Sequence, residues 1–103
     1  MNRLQFTKNI VGLLGEMIAA SEPVIGDFWK RTTEEQKRMF DAGLSKCDGV
    51  KKVSAHQTAK AMDLYFIVDG QIDNTPDRYI KWHKRWEEIG GKPMIEWDKC
   101  HFE

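Results

Sequence analysis

Ala61-Met62-Asp63-Leu64-Tyr65-Phe66-Ile67-Val68 alternates along its length and runs into Asp69-Gly70. In an extended chain Leu64, Phe66 and Val68 share one face, and Ala61, Asp63, Tyr65 and Ile67 share the other. Period-two spacing in a segment rich in aromatic and β-branched residues predicts a strand over 61–68, and Asp-Gly predicts the turn that ends it. Upstream, 44–53 is polar, with Lys46, Asp48, Lys51 and Lys52, and reads as a surface loop. Before it, Thr32 and Glu35 have capping-box spacing, and Glu34 and Glu35 place acid in a first helical turn. That helix is predicted to run to about 42 and to stop at Gly43 in the left-handed region. Residues 24–29, after Pro23, read as a short strand.

Further out, Phe6, Ile10, Leu13, Leu14 and Met17 keep the rhythm of one helix face, with Thr7 as a cap and Glu16 toward water. Downstream, Thr75-Pro76-Asp77 starts a helix with proline in its first turn. Tyr79, Trp82, Trp86 and Ile89 form its apolar stripe, His83 is expected at the solvent edge in a structural role, and Gly90-Gly91 ends it. A last strand is expected over 93–97. The order helix, strand, helix, strand, helix, strand, with short connections, predicts an α+β fold: a small antiparallel sheet with packed helices, in one domain over 1–103.

Sixteen basic and sixteen acidic residues cancel, with no block of one sign. A nucleic-acid or anionic-membrane binder would show a basic excess or stripe, so neither partner is expected. No apolar run reaches a membrane span. The segment 10–20 follows Arg3 and Lys8 but is periodic and broken by Glu16, so a cleaved export signal is not expected. Cys47 and Cys100 form no C-x-x-C pair and read as free thiols. The tryptophans Trp29, Trp82, Trp86 and Trp97 read mostly as core, with Trp97 the one best placed to line a cleft.

The chemistry concentrates in two stretches. His56 lies in Ser54-Ala55-His56-Gln57-Thr58-Ala59, just before the strand that holds Asp63. His101 follows Asp98 in Trp97-Asp98-Lys99-Cys100-His101-Phe102-Glu103. Two neutral imidazoles and one carboxylate make a catalytic zinc set whose fourth position is left to water. Zinc lowers the pKa of that water to about 7, and a nearby carboxylate can relay its proton. By spacing alone the signal is weak. His-x6-Asp and Asp-x-x-His recur by chance, so an ion pair at His56 and Asp63, a terminal His101, a turn-capping Asp98 and a surface-paired Arg31 stay open. Glu96 and Glu103 are alternative carboxylates to Asp98, and Cys100 is a less favoured ligand because His101 is its neighbour.

The string Ser54-x-His56, Ala61-x-Asp63, then Trp97, His101-Phe102-Glu103, resembles zinc peptidases that cut bacterial cell-wall peptides. These are the D-alanyl-D-alanine carboxypeptidases and the L-alanyl-D-glutamate endopeptidases of phage endolysins. Arg31-Thr32-x-x-Glu35-Gln36, Gly43-Leu44-Ser45-Lys46, and Tyr79, Trp82 and Trp86 through Gly90-Gly91 extend the resemblance over 29–103. It implies a hedgehog/DD-peptidase-like fold, with Zn2+ on His56, Asp63 and His101. It implies Asp98 as general base and then acid, Arg31 on a substrate oxyanion or carboxylate, and Ser54 and Gln36 as substrate-binding or loop-supporting groups. The implied substrate is a peptidoglycan stem peptide. An endolysin-type L-alanyl-D-glutamate endopeptidase is favoured over a D-alanyl-D-alanine carboxypeptidase and over a non-catalytic zinc- or wall-peptide-binding module. It further implies a monomer made in the cytoplasm without a signal peptide and reaching the bacterial cell wall by phage-type release. Two departures stand out. Ala59 replaces a family glycine, and no wall-binding module accompanies the domain.

Overall fold

A computed structural model of the chain describes residues 1–27 and 32–103. Three helices and four strands occur among them: α1 (Arg3–Ala19), β1 (Val24–Asp27), α2 (Thr33–Asp41), β2 (Met62–Val68), β3 (Gln71–Ile72), α3 (Pro76–Glu88) and β4 (His101–Phe102). All strand pairings are antiparallel, as the α+β reading requires. β2 is central. It pairs with β1 along one edge, and with β3 and β4 at opposite ends of the other.

One cluster of buried side chains joins the elements. Phe6, Ile10, Leu13 and Met17 of α1 meet Met62, Leu64 and Phe66 of β2, Tyr79, Trp82 and Trp86 of α3, and Phe102 of β4. Edge-to-face aromatic contacts tie the layers, with ring centres 5.7 Å apart for Phe6 and Trp86 and 5.1 Å for Phe66 and Tyr79. Such contacts each add about 1 kcal/mol beyond the apolar area they bury. α2 stays out of this core. Its buried side chain is Gln36.

Most element ends follow their local chemistry. The Thr32 hydroxyl accepts the Glu35 N–H at 3.1 Å, and Gly43 stands at φ 75 just past α2. Asp69 and Gly70 stand at φ 53 and 76, the pair of positive values that a type I′ hairpin turn needs. Val68, beside that turn, is exposed rather than part of the core face. Gly91 packs on the Trp86 indole so closely that a Cβ there would fall 2.0 Å from Nε1.

Four expectations need correction. The cap of α1 is Asn2, not Thr7. Asn2 and Gln5 satisfy each other's backbone N–H groups at 2.8 and 3.0 Å, so the helix starts earlier, and the Thr7 hydroxyl donates to the Arg3 carbonyl inside it. β3 is an added strand, too short to leave a periodic signal. His83 is not at the solvent edge. It is 2% exposed, stacked on Phe102 with ring centres 3.8 Å apart, and its Nε2 lies 2.6 Å from the Lys99 carbonyl. Finally, 93–97 is not a strand. The Asp98 N–H donates to the Ile95 carbonyl at 2.9 Å and folds this stretch into a turn. Pairing moves to 101–102, where Phe102 fills the core. The strand expected over 24–29 is seen over Val24–Asp27, and its remainder, with Trp29, lies outside the described residues. Among the described residues no helix is long and apolar enough to cross a membrane.

Candidate metal centre

The register of β4 on β2 builds half the site. Met62 pairs with Phe102, and Asp63 with His101. Direct antiparallel partners share a face, with Cβ atoms about 5 Å apart. Because Met62, Leu64 and Phe102 enter the core, their neighbours Asp63 and His101 must point to the opposite face. A hydrophobic requirement thus places a carboxylate beside an imidazole.

The loop before β2 supplies His56. The Ser54 hydroxyl accepts the His56 N–H at 3.2 Å, while Gln57 Oε1 accepts the Ser54 N–H at 3.0 Å. Gln57 Nε2 donates to the Gly49 carbonyl at 3.0 Å, tying this turn to the polar loop. The Lys60 N–H closes on the Ala55 carbonyl at 2.9 Å. Ala59 holds φ 57, the left-handed conformation that glycine adopts without strain. The backbone therefore takes a glycine-like path with an alanine on it.

His56 Nε2 lies 3.0 Å from His101 Nδ1 and 3.3 Å from Asp63 Oδ1, and His101 Nδ1 lies 3.7 Å from that oxygen. A tetrahedral ion with bonds of about 2.05 Å separates its ligand atoms by about 3.3 Å. The three edges bracket that value, and two imidazoles with one carboxylate are donors that suit a divalent ion. His56 and Asp63 are buried and His101 is half-buried. The group can hold a metal ion.

Electrostatics favours a cation there. Burial pushes Asp63 up, but the His101 and His56 imidazoles beside it overcome that and hold the carboxyl at about 2. Burial pulls His101 down, but the Asp63 carboxylate beside it and the hydrogen bond to Glu103 raise it to about 9. His101 lies between these carboxylates, with Nδ1 toward Asp63 and Nε2 3.0 Å from Glu103 Oε1. A metal ion on Nδ1 would displace the proton on that side and would leave the Glu103 hydrogen bond in place.

A cleft of about 500 Å³ opens onto these three residues and is also lined by Lys46, Ser54, Tyr65, Trp97 and Asp98. Asp98 Oδ2 lies 4.0 Å from His101 Nδ1. Trp97 is 69% exposed on the rim, with Lys46 Nζ 4.6 Å from its ring centre, whereas Trp82 and Trp86 are buried. Cys47 and Cys100 are free thiols. Burial pushes the Cys100 thiol up to about 12, and its Sγ lies 3.3 Å from Asp98 Oδ1, so it stays protonated beside the site.

His56, Asp63, His101, Asp98 and Ser54 therefore converge. Gln36 does not line the cleft. It is fully buried, and its amide donates to Ser45 Oγ and the Cys47 carbonyl, both at 2.7 Å, holding the cleft-lining loop to α2. Arg31 lies outside the described residues. Gln57 and the Glu103–Lys92 pair are the contributors that the motif reading passes over or gives another role. Comparison of the chain with protein-family models, with curated proteins and with solved structures finds no match.

Proposed function

We propose that this chain is a zinc-dependent peptidase of bacterial cell-wall stem peptides, of the endolysin-type L-alanyl-D-glutamate endopeptidase kind, with a hedgehog/DD-peptidase-like fold. The observation that supports it most is a His-Asp-His trio at tetrahedral spacing, with His56 and Asp63 buried and His101 half-buried, opening onto a cleft that also holds a carboxylate. A purely structural zinc site would close its fourth position with protein.

His56 Nε2, Asp63 Oδ1 and His101 Nδ1 would hold the ion. Bound there, zinc would supply a Lewis acid for an amide carbonyl and would lower the pKa of a water to about 7. Asp98 accepts the proton of the attacking water and hands it to the leaving amine nitrogen as the amide bond breaks. Ser54 keeps the His56 turn in shape. Arg31 is assigned to the substrate oxygen on the resemblance alone. Trp97 and Lys46 form the rim over which an extended peptide would lie.

The test is mass analysis of muropeptides after digestion of purified peptidoglycan, with and without chelator. Free L-alanine ends and D-glutamate amino ends, lost on chelation, are expected. Release of terminal D-alanine would identify a carboxypeptidase instead, and unchanged muropeptides beside a zinc-loaded protein would identify a binder.

A further inference from the structure

Glu103 is poorly placed to be a base, because both its carboxylate oxygens are engaged. Oε1 lies 3.0 Å from His101 Nε2, and Oε2 lies 2.6 Å from Lys92 Nζ. Its main chain is held as firmly: the backbone oxygen accepts from Trp86 Nε1 at 2.9 Å and from the Lys92 N–H at 2.7 Å. Lys92 thus grips both the backbone and the side chain of Glu103. The close seat of Gly91 on Trp86 fixes where Lys92 begins.

An ionised carboxylate only accepts, so His101 Nε2 must carry a hydrogen, and the neutral ring then has its lone pair on Nδ1. That nitrogen is the one beside His56 Nε2 and Asp63 Oδ1. The other tautomer would point N–H at the metal position and a lone pair at the carboxylate. We propose that Glu103, braced by Lys92, is a positioning residue that selects the Nδ1-ligating tautomer of His101 and fixes its ring for the metal. This rests on the metal-site reading above. Partners of this kind change metal affinity by about 10–100-fold when removed.

The experiment compares zinc affinity, by competition with a chromophoric chelator, in wild type, Glu103→Gln, Glu103→Ala and Lys92→Met. Histidine nitrogen-15 shifts of the zinc-loaded wild type are recorded alongside. Glu103→Ala is expected to bind zinc about 10–100-fold more weakly. Glu103→Gln, whose amide oxygen still accepts from Nε2, is expected to keep most of the affinity, and Lys92→Met to fall between. The wild-type spectrum is expected to show His101 protonated on Nε2 and bonded to zinc through Nδ1, a readout that needs no variant to fold. Ligation through Nε2 overturns the proposal. So does equal affinity in wild type and Glu103→Ala, or a Glu103→Gln loss as deep as that of Glu103→Ala, which would mean that only the ion pair with Lys92 matters. Those outcomes leave the peptidase reading standing, whereas a wild-type chain that takes up no zinc removes both.

Discussion

Ala59 stores strain three residues after a proposed ligand. Left-handed backbone costs a residue with a Cβ about 1–2 kcal/mol, and glycine escapes it at some cost in unfolded-chain entropy. Ala59 stands at φ 57, so Ala59→Gly is expected to stabilise the protein by about 1 kcal/mol. In a domain of this size that raises the thermal midpoint by about 4–8 °C. A lower midpoint would show that the methyl group contributes packing that outweighs the strain. At the same scale, Asp98→Asn should leave zinc content unchanged and lower peptide turnover about 100-fold or more. Unchanged turnover would remove Asp98 from the chemistry. The proposed ligands were legible because imidazole and carboxylate in a short pattern suggest metal chemistry. Glu103 was legible only as a spare carboxylate. Its partner His101 is two residues away, but Lys92 is brought in by the fold. Gln36 resembles a binding residue in sequence, and only its burial shows that it holds a loop.

Among the elements, periodicity was a sound guide where a segment was long and failed where it was short. α1, α2, β2 and α3 follow their apolar rhythm or caps. Two-residue β3 and β4 have no period to read, and their position follows from a hairpin turn and from the fit of Phe102 into the core. The meeting of Asp63 with His101 depends on that β4 register, so sequence could name the pair but not place it. His83 shows the same dependence. A histidine beside two tryptophans reads as partly wet, yet α3 turns it onto Phe102.

Burial lowers the pKa of His83, against a smaller upward pull from its Lys99 hydrogen bond, with the charge of His101 lowering it further and that of Asp98 raising it. A group depressed in the folded state contributes stability that is complete above its unfolded value, about 6.5, and lost as pH falls through its folded value. The thermal midpoint of the metal-free chain should therefore fall more steeply in wild type than in His83→Gln between about pH 7.5 and pH 5. Parallel slopes would show that His83 takes up its proton without loss of fold.

For the molecule as a whole, a chain of 103 residues has a modest core, and a metal held by β2, β4 and the 54–60 loop would add cohesion among those three segments. A ligand that binds only the folded state stabilises by about 2.7 kcal/mol at a hundredfold excess over its Kd. Zinc should thus raise the thermal midpoint, and chelator should return it to the metal-free value. The coarse architecture was open to sequence because alternating helical and extended segments with short links leave few ways to pack. The cleft was not, because it forms between a loop, a sheet face and a turn that meet only in the folded chain.

The most direct test is native mass spectrometry of the chain after reconstitution with equimolar zinc. Wild type should carry one zinc per chain, and His101→Ala should carry none. A metal-free wild-type mass, or full zinc retention by His101→Ala, would contradict the account.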